Sequence, residues 1–333
     1  MFGAPTRTFS VNFALFLVAL ALFPVFVRDS YYLHVGILCM LFASFALSWH
    51  LVTGYGGLKT FGHQAFFGIG AYFSALVSIH FGISPWLLLL VAGIVAAILG
   101  LLIATPVLRI RSMPHVAIVT LSFAEIIRAV ISNWRDVTRG ELGLWGIRTF
   151  ESFSLPLIGA VSFTSTDKVS FYYLMFLLFA LVCFTVLAIM RSQYGLAIIA
   201  MRESENAADS LGVNVVKYKL FLFALSAFFV GVCGSFYAHY LLILTPSAVL
   251  HIEVIILVIA MTLVGGVGTF AGPIIGAFLL TILGEWLRGF GDYRMLIYGT
   301  MILLCVMFFP GGVAKLGSRL REFGGFSARV ARR

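Results

Sequence analysis

The fold class this sequence predicts is an all-α polytopic membrane protein: about ten transmembrane helices, two Gly-rich broken segments, and both termini cytoplasmic. Three observations carry that expectation. Of the 333 residues, 61% are hydrophobic and 11% are charged, against roughly half and a quarter in a soluble domain. Apolar runs near the ~20 residues that cross a bilayer recur along the whole chain. Lys and Arg gather in alternate connections, as the positive-inside rule requires. The net charge of +9 follows from that placement, so it is no nucleic-acid signature.

Taken in order, the first apolar run, 11–27, follows Arg7. It has the form of a signal-peptide core but lacks a convincing small-x-small cleavage site, so it reads as a retained helix. Further runs lie at 31–53, 65–81, 85–105, 114–133, 169–190, 218–241, 253–264, 273–288 and 294–309. The run at 253–264 is short and needs the glycine-rich stretch after it to cross. Arg7, Arg109, Arg111, Arg191, Arg202, Lys217 and Lys219 then share one face with Lys315, Arg319, Arg321, Arg329, Arg332 and Arg333. That face is cytoplasmic. The opposite face carries the longer loop 134–168, with mixed charge from Arg135, Asp136, Glu141, Glu151 and Asp167. Cys39, Cys183, Cys233 and Cys305 lie far apart within apolar runs, so they are structural thiols, and no metal site is expected.

Two interruptions stand out. One is Gly54–Tyr55–Gly56–Gly57–Leu58–Lys59–Thr60–Phe61–Gly62–His63–Gln64; the other is Gly265–Gly266–Val267–Gly268–Thr269–Phe270–Ala271–Gly272–Pro273. Each alone could be a tight cytoplasmic hairpin in which glycine serves turn geometry. Two of them, one in each half, point instead to a transporter's pathway, because non-helical backbone at membrane depth must be buried in protein or line a wet cavity. Lys59, Thr60, Gly62, His63, Gln64, Gly265, Gly266 and Gly268 are therefore pathway candidates. Lys59 could attract a substrate carboxylate or snorkel to the headgroups.

Glu125 falls near the middle of the fifth run with Arg128 three residues on, on the same helix face. Ionisable groups at that depth face a bundle interior or a cavity. The pair either locks helices together or contacts substrate. Glu285 and Arg288 repeat the spacing near the outer end of the ninth run and read as architectural. His239, between Tyr237 and Tyr240, reads as an interfacial residue.

The long polar segment 195–217 separates two spans. Ala207, Ala208 and Leu211 make a narrow apolar stripe on a short helix, with Gly212 where its C-terminus would want glycine. Arg202, Glu203, Asn206 and Asp209 surround the stripe. Such a helix, too small to bury its own stripe, is either a docking element or an ordinary solvated loop. No G-x-S-x-G, H-E-x-x-H or G-x-x-x-x-G-K-[ST] occurs. If transport is driven by ATP, another chain binds the nucleotide. An ion-coupled secondary transporter would need a carboxylate or His relay in several spans, and Glu125 is the one clear mid-membrane carboxylate.

The segments Gly62–Tyr72, Thr120–Arg128, Thr138-x-Gly140-x-x-Gly143–Leu144, Arg202–Lys219, Tyr237–Tyr240, Gly265–Ala277 and Tyr293–Gly311 occur in an order and spacing that is specific. Over about Leu41 to Gly312 the chain resembles the inner-membrane permease subunits of branched-chain amino acid ABC importers, the LivM/LivH type, nearer the LivM pattern. The resemblance implies that 1–312 is a transmembrane permease domain, with a coupling loop at about 195–217 and a periplasmic loop at about 134–168. Residues 313–333 are then a basic cytoplasmic tail. It implies a second related permease subunit (LivH-like), two cytoplasmic ATPase subunits holding ATP and Mg, and a periplasmic substrate-binding protein. No cofactor is then bound by this chain, which sits in membrane lipid of the bacterial inner membrane and is no enzyme. Arg202, Glu203, Asn206, Ala207, Ala208, Leu211 and Gly212 would form the ATPase-coupling site, the family's E-A-A-x-x-x-G pattern with Asn206 in place of a Glu. Lys59 departs from the uncharged residue usual there. Related permeases carry urea or short amides, which leaves that cargo as the alternative to branched-chain amino acids.

Overall fold

The computed structural model of the chain describes residues 7–110, 112–155, 159–164 and 168–290, with isolated positions up to Val313. Eight helical segments in it are long and apolar enough to cross a membrane, and α-helix is the dominant element throughout. Helix α1 (Arg7–Phe26) is followed by α2 (Ser30–His50), α3 (His63–Phe81), α4 (Pro85–Val107) and α5 (Met113–Asn133). One-turn α6 (Arg135–Thr138) opens the long loop, and α7 (Val169–Arg191) closes it. Helices α8 (Gln193–Glu203) and α9 (Glu205–Ser210) form the polar segment before α10 (Val215–Leu241). Short α11 (Pro246–Val249), α12 (Ile252–Gly265) and α13 (Ala271–Trp286) complete the described bundle. The span expected at 294–309 lies mostly, and the tail 313–333 almost wholly, outside the described residues.

Helices α2 and α10 occupy the centre. The most apolar window of α2 with its following turn is 78% buried, whereas that of α5 is 17% buried. Small residues set how closely the central helices approach. A Cβ on Gly70 of α3 would run into the backbone of Gly231 of α10, and one on Gly234 into the carbonyl of Phe67. Gly231 in turn lies against Ala92 and Ala96 of α4. In a bilayer, where water supplies no driving force between helices, such backbone approach maximises dispersion contact. Helix α1 docks on the same bundle: Phe16 meets Phe278 at 5.6 Å between ring centroids, and the Tyr172 hydroxyl donates to Leu20 O (2.9 Å).

The short span at 253–264 is completed on a different side from the one expected. The glycine stretch after it adds no helix, because Gly266 (φ 119°) leaves helical space and ends α12. The additional length comes from the preceding turn, and Pro246–Gly265 together span 20 residues. Sequence reasoning also missed two small antiparallel pairings. Strand β1 (Leu144–Trp145) pairs with β4 (Ile243–Leu244), and β2 (Phe153–Leu155) with β3 (Gly159–Val161). The first of these staples the long loop to the end of α10. The Thr138-x-Gly140-x-x-Gly143–Leu144 motif leads into it: the Thr138 hydroxyl caps α5 by donating to Ile131 O (2.6 Å), and Gly140 and Gly143 take positive φ. His239 is fully buried within the protein. Its Nε2 pairs with Ser74 Oγ (2.6 Å) and its Nδ1 with Arg148 O (2.7 Å), tying α3, α10 and the loop together.

Candidate functional site

The first broken segment begins earlier than its glycines suggest. Helix α2 loosens into a π-helical turn at Leu51–Tyr55 before the chain extends to Gly62. A π turn inserts one residue per turn and is often found at functional positions. Here it accommodates a ring: a Cβ on Gly54 would occupy the space of the His50 imidazole, and Tyr55 meets that ring edge-on at 4.9 Å. Thr60 and His63 are fully buried. Thr60 Oγ1 pairs with His63 Nδ1 (3.1 Å), and His63 Nε2 with Ser226 Oγ of α10 (2.9 Å). Ser226 gives its single hydroxyl proton to Ser48 O (2.6 Å). His63 therefore donates from Nε2 and accepts from Thr60 at Nδ1, a fixed neutral tautomer. Trp49 Nε1 donates to Thr60 O (2.9 Å), and the Phe61 amide to Thr120 Oγ1 of α5 (3.0 Å). A polar relay thus joins α2, the first break, α5 and α10.

Gln64 is fully buried, and neither amide atom has a protein partner among the described residues. Lys59 is exposed. Gly62 abuts the carbonyl of Thr120 and begins α3. Of the first-segment candidates, Thr60, Gly62 and His63 are brought together, while Lys59 stands apart from them on the surface.

The second broken segment is a backbone contact. Gly265 of α12 lies against the carbonyl of Gly272, and Gly276 of α13 against the carbonyl of Met261, with no room for a Cβ at either. Gly268 (φ 86°) turns its amide towards the first segment and donates to His50 Nε2 at 3.3 Å. His50 and Gly268, 218 positions apart, therefore bring the two breaks together at one imidazole. With Nε2 accepting, the ring proton sits on Nδ1, which is buried without an acceptor among the described residues. His50 is the residue that sequence reasoning missed. The signal was present, since it is an ionisable side chain inside an apolar run, and such residues are functional candidates by default.

The polar segment before α10 forms a capped knuckle. Ser204 caps α9 by accepting from the Ala207 amide (3.3 Å). Gly212 at φ 84° closes it, with Gly212 N bonded to Asp209 O (2.9 Å) and Val213 N to Ala208 O (3.0 Å). That pair of bonds is a Schellman closure. Lys219 Nζ, 9% exposed, meets Glu205 Oε1 at 2.6 Å and ties α9 to α10. Ala208 is buried at 1%, whereas Leu211 is 82% exposed, and Glu203, Asn206 and Ala207 are exposed beside it. The apolar stripe is thus split: Ala208 anchors the knuckle and Ala207 with Leu211 face outward. Arg202 lays its aliphatic stem against Gly57, 3.3 Å from where a Cβ would stand. The knuckle consequently touches the first break, and the first break touches the second.

Glu125 and Arg128 do pair, with Arg128 Nε donating to Glu125 Oε2 at 2.7 Å. They stand away from the breaks on the outward face of α5, with side chains 37% and 35% exposed. Among the described residues no group of three or more His, Cys, Asp or Glu could hold a metal ion.

The family described as "Branched-chain amino acid transport system / permease component" matches residues 31–307. The chain is 32% identical over 322 residues to the high-affinity branched-chain amino acid transport system permease protein LivM of Escherichia coli K12, covering 91% of this chain and 75% of that protein. LivM of Salmonella typhimurium gives the same identity over the same shares. A probable branched-chain amino acid transport permease, LivH of Methanocaldococcus jannaschii, is 27% identical over 248 residues, covering 72% of this chain and 76% of that protein. No solved structure matches the chain.

Proposed function

This chain belongs to the family of branched-chain amino acid transport permease components, and on that premise we propose how it acts as the membrane subunit of an ATP-driven importer. It is a multi-pass membrane subunit and not itself an enzyme. Its cargo is branched-chain or similar hydrophobic amino acids, its membrane the bacterial inner membrane, and its termini are cytoplasmic. A LivH-like permease subunit completes the transmembrane body, two cytoplasmic ATPase subunits hold ATP and Mg, and a periplasmic binding protein delivers substrate. The ATPases seat on Leu211 and Ala207, the outward half of the knuckle. Their closure moves α8 and α9, and Arg202 passes that displacement to the first break through Gly57. The His50–Gly268 contact carries it into the second break, so that both breaks rearrange together and the bundle opens alternately to its two sides.

The observation that carries the docking step is Leu211, a large apolar side chain 82% exposed on a segment too well capped to fold it inward. Leu211→Glu should abolish recovery of the ATPase subunits in pull-downs while leaving the thermal midpoint of the detergent-solubilised chain unchanged. Ala208→Glu should lower both, because it buries a charge. Equal recovery with Leu211→Glu and the native chain would overturn the docking site. Cargo is decided by vesicle uptake with the complete transporter and its binding protein: labelled leucine should enter, and urea and acetamide should not.

A further inference from the structure

We infer that the outward face of α5 is the seam along which this chain meets a second permease subunit, one presenting hydrogen-bond acceptors to Arg128 at mid-membrane depth. The inference rests on the reading of the chain as a permease subunit. Every long span exposes some side chains, and their chemistry says what covers them. Helix α4 exposes Leu87, Leu90, Ile94, Ile98 and Leu102, and α7 exposes Leu177, Leu181 and Phe184. Those faces suit acyl chains. Helix α5 is the least buried long span; it exposes Ile118, Ile126 and Val130, but also His115, Ser122, Ala129 and Asn133, with the half-buried Glu125–Arg128 pair beside them.

Acyl chains cannot cover that face. The pair lies at the middle of a 21-residue helix and remains more than a third exposed. Charged groups at such depth require polar surroundings. The pair is only partly self-satisfied, because Arg128 uses Nε on Glu125 and a guanidinium carries four further N–H donors in a fixed fork. His115, Ile118, Ser122, Glu125 and Ala129 follow one another at intervals of three and four residues, the spacing by which one helix packs along another. Ser122 and Ala129, one heptad apart, are small enough for close helix approach. A charged pair on a face with a packing period identifies a protein neighbour rather than acyl chains alone, and the Arg128 donors that have no partner among the described residues define what that neighbour must offer.

The test places the photoreactive residue benzoyl-phenylalanine at position 122 or 129, and as controls at 94 or 181, in membranes containing the whole transporter. Irradiation should join the chain to the second permease subunit from 122 and 129, identified by mass spectrometry, and give no protein adduct from 94 and 181. Lipid adducts alone at all four positions would overturn the seam, as would an adduct to another copy of this chain. Ser122→Trp should independently abolish co-purification of the second permease, while Ile94→Trp should not. ATPase subunits recovered in the same preparation separate the two levels: their presence without a protein adduct refutes the seam alone, and their absence refutes the permease reading beneath it.

Discussion

The two broken segments sit side by side in the bundle yet are built on opposite principles. The second is made of backbone against backbone: Gly265, Gly272 and Gly276 bring α12 and α13 so close that no side chain fits. The first is made of side chains: an imidazole fills the π turn, and Thr60, His63, Ser226 and Ser48 pass hydrogen bonds from one helix to the next. A contact made by absence of side chains is rigid and has one geometry. A relay of polar groups can exchange partners, so the first segment is the adjustable half of the pair and the second shifts with it as one close-packed piece.

That contrast can be broken most forcefully at Gly276. Gly276→Val should separate α12 from α13 and destabilise the chain by about 3 kcal/mol or more, read as loss of folded protein in fluorescence-monitored size exclusion. A fully folded variant would show that the second break is adjustable too. His50→Ala should cost about 2 kcal/mol through the cavity it leaves. It should also separate ATP hydrolysis from uptake in reconstituted vesicles, since the contact between the breaks is gone. Unchanged uptake per ATP would reduce His50 to a space filler. Ser226→Ala should be milder in its effect on transport: about 2 kcal/mol for the two buried hydrogen bonds of its hydroxyl, seen as a fall in the thermal midpoint with transport retained. A loss matching that of Gly276→Val would erase the distinction.

Hydropathy made the spans legible, because a long apolar run has few alternatives in a chain this poor in charge. The short helix of the knuckle was legible too, since Gly212 obeys local C-capping chemistry that needs no tertiary information. What stayed hidden depended on distant contact. Helical spacing put Ala207 and Ala208 on one stripe, but only packing against the bundle decided that Ala208 points in and Ala207 out. Glu125 and Arg128 were paired correctly from their three-residue spacing, yet depth alone could not say which way the pair faces. His50 was overlooked because the glycines after it drew the boundary of the break too late, and nothing local announces a partner at Gly268.

The fit of the His50 ring against Gly54 has a consequence for how this protein can vary. Neither position can drift alone: any side chain at 54 collides with the imidazole, and a smaller residue at 50 leaves a void that only a larger neighbour could fill. The two codons behave as one hereditary unit. Among homologous permeases, position 54 should depart from glycine only in lineages that have already given up the ring at position 50.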